Sequence, residues 1–519
     1  MVIYILQILA VVILVGIASK KIKLPMPILL VASGIAMSYI PNINAVEIVP
    51  EIVLLIFLPP LLFADAWMIP KREFMLYKRP ISLLAVGLVI ATTFVIGHVT
   101  HYLIPSIPLS MCFVLGAIVS PTDAVAVLSI IEHLKIPKSI NIILRGESLI
   151  NDASGLVAFK FAVAAALTGH FSATDAVKGF LISAVGAATI GFTLAYCLER
   201  ALQYLKEHKI SDHYIEASVS LLTPFIAYLM AEHLHLSGVI AAVIAGFYSG
   251  WKDLKDLSYN NRTHLKTVWE TLIFLLNGMM FVLLGLQLPF ILEPLPIDSI
   301  GQYISCAIII FAVMLTTRIA WVFSGAYIPR FLFPKLRRMH PDLKPSHVFL
   351  IGWGGIRGTI TVVAAFAIPI TPNLESRSIV ILLAFVITMC SLLIQGLSML
   401  HIINKLGVNQ IDGRSNASAV RIALASAAVD KISQTHGNSK IAQNIINYYK
   451  GLITQLQNDK NNKKNDKKND DYKLLNELRK ISTEAEKTEL ARLYKIQQID
   501  EELFKELREE LDLKLRPYS

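Results

Sequence analysis

The stretch RGESLIND (145–152) packs an arginine, two acids, a hydroxyl and an amide into an otherwise apolar run. At 3.6 residues per turn, Ser148 and Asp152 share one helix face, and Glu147 and Asn151 share the next. A second group, Ser120, Pro121, Thr122 and Asp123, sits in the middle of another apolar run. Proline withdraws a backbone donor and disrupts the turn before it. Carbonyls freed near Pro121, the Thr122 and Ser148 hydroxyls, and the Asp123 and Asp152 carboxylates are all hard oxygen ligands. Such a set suits a small cation of low charge, sodium before any transition metal. Asp152 can equally carry a proton, and each occupant disfavours the other. Competition for one carboxylate, combined with alternating access, suffices for obligatory exchange of cation for proton. No cofactor, covalent intermediate or ATP is required.

The elements that must hold these groups are membrane helices. The 519 residues are 54% hydrophobic, with a mean hydropathy of +0.57. A soluble chain of this length is normally more polar. A span needs roughly 20 apolar residues, which yields about thirteen candidates. They fall near 2–18, 25–41, 48–67, 80–103, 109–131, 139–167, 176–202, 213–234, 236–250, 265–288, 299–328, 345–370 and 377–404. Loops after the odd spans carry Lys20, Lys21 and Lys23, then Lys71, Arg72, Lys78 and Arg79, and so on to Arg330, Lys335, Arg337 and Arg338. Loops after the even spans are nearly free of Lys and Arg, Arg377 being the main exception. The positive-inside rule then sets the N-terminus outside and the C-terminal tail in the cytoplasm. The formal charge of +10 is absorbed by this loop pattern, so nucleic acid is not an expected partner.

Two spans are interrupted, the fifth at Pro121 and the twelfth at the glycine-rich GWGGIRG (352–358), around Gly355 and Arg357. Irregular backbone at membrane depth is tolerated only inside protein or along a wet cavity. Paired interruptions are the best sequence pointer to a secondary-transporter site. The two run in opposite directions, as an inverted repeat of spans one to six and eight to thirteen requires. The expected fold is all-α, with two crossed interrupted helices.

A charge at mid-bilayer costs at least ~2.5 kcal/mol, so Arg318 and Arg357 need compensation. Arg318 is matched with Glu147 as a structural pair. For Arg357, structural pairing stands beside a role at the dipole ends of the broken helices. Asp65, in LPPLLFADAW (58–67), reads either as a boundary residue or as a site residue. Glu216 and Glu270 read as interfacial, and Lys160 as a snorkelling side chain. The histidines of EHLHLS (232–237) read as an outer loop. Cys112, Cys197, Cys306 and Cys390 lie far apart in apolar runs and read as free packing residues. Potassium/proton exchange, a channel and an intramembrane aspartyl protease are rival readings. A channel fits two charged breaks poorly. The protease lacks a Gly-x-Gly-Asp motif and leaves Ser148 and Asn151 idle.

Taken together, LPPLLFADAW, SPTDAVAV (120–127), RGESLINDASGLV (145–157), Arg318 in TTRIAWV and GWGGIRGTI (352–360) resemble the monovalent cation:proton antiporter family one. The resemblance covers roughly residues 1–405. It implies a thirteen-helix antiporter, a homodimer with a dimer domain and a six-helix core that moves like an elevator. It implies that Asp152 binds cation and proton in turn, that Thr122, Asp123 and Ser148 line the ion site, and that Asn151 supports it. Glu147 and Arg318 match its structural ion pair. Asn151 before Asp152 implies electroneutral exchange. Many members carry Glu directly after LPPLLF, where this chain has Ala64 and then Asp65. One position is about 100° on a helix.

The domains expected are a transmembrane antiporter domain, 1–405, and a helical cytoplasmic tail, 406–519. NDKNNKKNDKKNDD (458–471) reads as a disordered linker. The final TELARLYKIQQIDEELFKELREELDLKL reads as an amphipathic helix. The expected location is the bacterial inner membrane, with monovalent cations, protons and the lipid bilayer as partners and a role in pH and sodium homeostasis.

Overall fold

In a computed structural model, residues 2–408 are described except 23, 41–49, 132–135, 169–172, 209, 211–212, 257–258, 333–343 and 370–373. Beyond 408 only 426, 429–430, 433, 443, 446–447, 450–451, 453–454 and 490 are described. The chain divides into two compact units, Met1–Gln410 and Ile411–Ser519. In the second, the segment 458–471 lies outside the described residues, as does the final amphipathic stretch apart from Leu490. Several of the loops whose charge pattern suggested the topology are also outside them.

The first unit is all-helical among the described residues. Its opening helices are α1 (Val2–Ser19), α2 (Met26–Ser38) and α3 (Pro50–Met68). Next come α4 (Lys71–Ser82), a π-helical turn at Leu83–Leu88 and α5 (Val89–Leu103) in one continuous rod. Helices α6 (Leu109–Val119) and α7 (Ala124–Ile131) are the halves of the fifth expected span. The long helices α8 (Lys138–Thr168), α9 (Ala173–Glu207), α10 (His213–His233), α11 (Gly238–Asp256) and α12 (Tyr259–Leu286) follow. After the short α13 (Leu288–Leu292) comes α14 (Ile297–Leu332). Helices α15 (Pro345–Trp353) and α16 (Thr359–Phe366) are the halves of the twelfth span. The unit closes with α17 (Leu374–Cys390), a π-helical turn at Ser391–Gln395 and α18 (Gly396–Leu406).

Seven of the described helical segments are long and apolar enough to cross a membrane, and four shorter apolar helices accompany them. The protein is a multi-pass membrane protein. Its outer surface agrees, since Ile3, Leu6 and Leu14 on α1, Ile90 and Phe94 on α5, and Leu181, Ile182 and Val185 on α9 are exposed. Water would penalise such belts, whereas lipid tails solvate them at no cost.

Two differences from the expected spans have local causes. The fourth segment begins at Lys71 rather than near 80, because the basic stretch KREFMLYKRP continues the helix by more than two turns. Pro80 removes one ladder donor, and the π turn at Leu83–Leu88 follows directly. The tenth segment ends at Leu286, and Pro289 sits in the first turn of the separate helix α13. Glu216, in the first turn of α10, is buried, with Lys206 at the end of α9 3.2 Å from its carboxylate.

Packing follows small residues. Helix α2 lies on α12 where Gly34 and Gly285 face each other, and a Cβ on either would collide with the opposite backbone. Close backbone approach of this kind stabilises helix pairs in lipid, where apolar burial between helices gains little. Around the site, α6 packs on α5 and α8, α8 on α4, and α14 on α15 and α17.

Candidate ion-binding site

The two interruptions meet. Helix α6 ends at Val119 and α7 starts at Ala124, while α15 ends at Trp353 and α16 starts at Thr359. The backbone N–H of Asp123 donates to the Ile356 carbonyl at 2.7 Å, so a backbone hydrogen bond joins the breaks. The Asp123 carboxylate accepts from the Ala126 N–H at 3.1 Å, capping the first turn of α7. Gly358 is needed at this crossing, since its Cβ would stand 2.5 Å from Asp123 Cβ and 2.6 Å from its Cγ.

Arg357, almost fully buried, donates through Nη1 to the Ser120 carbonyl at 2.8 Å and the Pro121 carbonyl at 3.0 Å. These are the last carbonyls of α6 and its extension, where the helix dipole is negative. A cation there compensates both the dipole and the orphan acceptors. Its Nε lies 3.4 Å from Met314 Sδ.

Helix α8 supplies the other wall. The Ser148 hydroxyl donates to the Thr122 carbonyl at 2.7 Å and accepts from the Ala124 N–H at 3.1 Å. Asn151 Nδ2 donates to Thr122 Oγ1 at 2.8 Å, and Thr122 Oγ1 donates to Glu147 Oε1 at 3.4 Å. Ser148 thus satisfies two backbone groups of the break, while Asn151 and Glu147 hold the Thr122 side chain. Glu147 and Arg318, both about 1% exposed, form a two-pronged pair, with Arg318 Nη1 on Oε1 and Nη2 2.9 Å from Oε2. Arg318 also donates to the Gly352 carbonyl at 2.9 Å and the Ile351 carbonyl at 3.1 Å. Helix α14 is thereby tied both to α8 and to the end of α15.

Asp152 stands apart. It is 4% exposed, and among the described residues no hydrogen bond or ion pair engages its carboxylate. Asp123 and Asp65 are the charged groups within electrostatic reach of it. Beside it, Asn151 Oδ1 is buried without a hydrogen-bond donor. A carboxylate and an amide oxygen are thus left as uncommitted acceptors, while Thr122 and Ser148 each already hold the break. Each of those hydroxyl oxygens has two acceptor lone pairs, and each accepts one bond in the contacts above.

Asp65 lies on α3 with Arg145 Nη1 at 4.0 Å, and Arg145 Nε is held by Asn141 Oδ1 at 3.0 Å. Ala64 is fully buried, whereas Asp65 is partly exposed, so the acid occupies a different face from its neighbour. Lys160 pairs with Glu232 at 3.4 Å on the surface.

Three buried polar residues at the site escaped sequence reasoning. Ser154 donates to the Ala85 carbonyl inside the first π turn. Ser391, in the second π turn, accepts the Arg357 backbone N–H at 2.8 Å. Gln395 Nε2 donates to the Trp353 carbonyl at 2.7 Å. The available signal was a polar side chain within an apolar run. It is weak, because Ser and Thr in membrane helices commonly satisfy themselves on the preceding turn, as Thr388 does here.

The family model described as "Sodium/hydrogen exchanger, transmembrane" matches residues 8–405. A Bacillus pumilus protein named as a sodium, potassium, lithium and rubidium/H+ antiporter is 36% identical over 385 residues, covering 72% of this chain and 56% of its own length. A Na+/H+ antiporter of Halobacillus aidingensis is 31% identical over 422 residues, covering 78% of this chain and 98% of its own. This chain therefore spans little more than half the length of the Bacillus relative but nearly all of the Halobacillus one. The solved structure of a sodium proton antiporter from Methanocaldococcus jannaschii superimposes with a TM-score of 0.59 at 19% identity, covering 76% of this chain and 98% of that one. At that identity the likeness concerns the fold.

Proposed function

The chain belongs to the sodium/hydrogen exchanger family, and on that premise we propose that it is a secondary transporter exchanging sodium for protons across the membrane. The observation that carries this reading is the Asp152 carboxylate, withdrawn from water beside two crossed helix breaks and, among the described residues, without a hydrogen bond or ion pair. In one state it holds a proton. In the other it holds a monovalent cation, together with Asn151 Oδ1 and the spare lone pairs of Ser148 and Thr122. Asp123 adds negative potential. Pro121, Gly355 and Arg357 shape the crossing, and the Glu147–Arg318 pair holds α8 to α14. A single uncommitted carboxylate among neutral oxygens supports a monovalent rather than a divalent ion, since divalent sites gather more charge.

Because binding of one ion excludes the other, alternating access to this site couples the two flows without ATP or cofactor. One cation per proton makes the exchange electroneutral. Lithium and potassium fit the same chemistry, and the name of the Bacillus pumilus relative includes both. Residues 1–405 form the transport domain and 406–519 a cytoplasmic tail. The protein works as a homodimer in a bacterial inner membrane with its N-terminus outside, serving pH and sodium homeostasis.

The test is a pH-gradient assay in proteoliposomes with sodium, lithium or potassium added to wild type and to Asp152→Asn. Cation-dependent collapse of the gradient in wild type, absent in the variant, is expected. Full activity in Asp152→Asn would remove that carboxylate from the mechanism.

A further inference from the structure

The break between α15 and α16 exposes a run of backbone groups at membrane depth, where each must find a partner inside the protein. Several of those groups are met by elements already at the site. Arg318 takes the Ile351 and Gly352 carbonyls, and Asp123 donates its N–H to the Ile356 carbonyl. The Gly354 N–H closes back on the Leu350 carbonyl at 2.9 Å. Two more, the Trp353 carbonyl and the Arg357 N–H, find their partners on one helix.

Those partners are Ser391 and Gln395, the first and last residues of the π-helical turn between α17 and α18. Both are essentially inaccessible, at 0% and 1% exposure. Ser391 Oγ accepts the Arg357 N–H at 2.8 Å, and Gln395 Nε2 donates to the Trp353 carbonyl at 2.7 Å. The two side chains are locked to each other, the Ser391 hydroxyl donating to Gln395 Oε1. The Trp353 carbonyl, which can only accept, sets the amide orientation, so Nε2 faces it and Oε1 faces the Ser391 hydroxyl. The pair therefore works as a clamp with one acceptor and one donor, spanning both ends of the break. π turns recur inside α-helices at functional positions, and this one brings the two polar side chains to the break.

We propose that Ser391 and Gln395 are positioning residues of the cation site. They act through the break and do not touch the ion. The clamp fixes the Arg357 backbone, and the Arg357 guanidinium in turn holds the Ser120 and Pro121 carbonyls. Those carbonyls precede Thr122 and Asp123, and the Ile356 carbonyl next to Arg357 accepts the Asp123 N–H. Two routes thus lead from the clamp to the residues around Asp152. The inference rests on the reading of Asp152 as the exchange site.

The experiment measures exchange in proteoliposomes as a function of sodium concentration for wild type, Ser391→Ala, Ser391→Thr and Gln395→Met, at matched reconstituted amounts. Loss of one buried hydrogen bond at the break is expected to raise the half-saturating sodium concentration about tenfold in Ser391→Ala and Gln395→Met, with the maximal rate changed less than threefold. Ser391→Thr, which keeps the hydroxyl, is expected to match wild type. A purely structural role would lower the amount of folded protein or the maximal rate and leave half-saturation where it was, and that result overturns the proposal. Ser391→Ala removes a single heavy atom and decides the matter if Gln395→Met does not fold. Absence of cation-linked exchange in wild type would remove the transport reading and this inference with it. A wild-type response with unshifted variants removes this inference alone.

Discussion

Cutting the Glu147–Arg318 pair from each side has unequal predicted costs. Both side chains are about 1% exposed, so neither charge is relieved by water when its partner is removed. Breaking a buried pair by deleting one partner costs about 3–5 kcal/mol. Glu147→Gln keeps an acceptor for the Thr122 hydroxyl and leaves Arg318 on the Gly352 and Ile351 carbonyls. Its cost is expected near the lower end, about 3 kcal/mol. Arg318→Met strands a carboxylate whose one other hydrogen bond is the 3.4 Å contact from Thr122. It also strips donors from two carbonyls at the buried end of α15, so about 5 kcal/mol is expected. The double variant carries no buried charge at this point and should cost no more than Arg318→Met alone, giving a coupling of at least about 3 kcal/mol. Equilibrium unfolding of purified protein in mixed detergent micelles, followed by tryptophan fluorescence, reads all three. Single costs that add in the double variant to within ~0.5 kcal/mol would show that the two side chains do not stabilise each other, and the account of how α14 is tied to α8 would fail.

Gly358→Ala is expected to reduce exchange at least tenfold while the protein still purifies as a folded species, because the added methyl would overlap the Asp123 side chain at the crossing. Wild-type exchange rates in Gly358→Ala would show that the breaks need not approach so closely. Away from the site, Lys206→Met leaves the buried Glu216 carboxylate without its 3.2 Å partner. Lys206 is one-third exposed, so the destabilisation is expected at about 1–2 kcal/mol, below that of a fully buried pair. Adding Glu216→Gln should recover most of it, and the same unfolding assay checks both.

The candidate site was legible in the sequence as residue types more than as contacts. Pro121 and the glycines around Arg357 announce interrupted helices because a missing donor or missing Cβ acts on the chain within a turn of itself. The 3.6-residue period places Ser148 with Asp152 and Glu147 with Asn151 for the same local reason. The start of the fourth segment at Lys71 is not legible because hydropathy registers the apolar run and not the basic turns that precede it. The burial of Glu216 is not legible because it depends on a lysine from the preceding helix folding over it.

What the sequence alone determined is the class of molecule and the inventory of unusual groups. A membrane imposes its demands residue by residue, through apolar length, charge in loops and the cost of an intramembrane charge. Only the tertiary structure decided who satisfies whom. Ser148, Asn151 and Thr122 each hold the break at Pro121, and among the described residues Asp152 is left without a hydrogen bond or ion pair. Arg357 is compensated by carbonyls instead of an acid, Asp65 faces Arg145, and a serine and a glutamine on a π turn hold the second break. Each of these is a pairing between separate segments of the chain, Arg357 and Ser120 being 237 residues apart. Hydropathy and periodicity carry no information at that range. The partner of a buried polar group is set by which backbone and side-chain atoms the packed helices bring within hydrogen-bond distance of it.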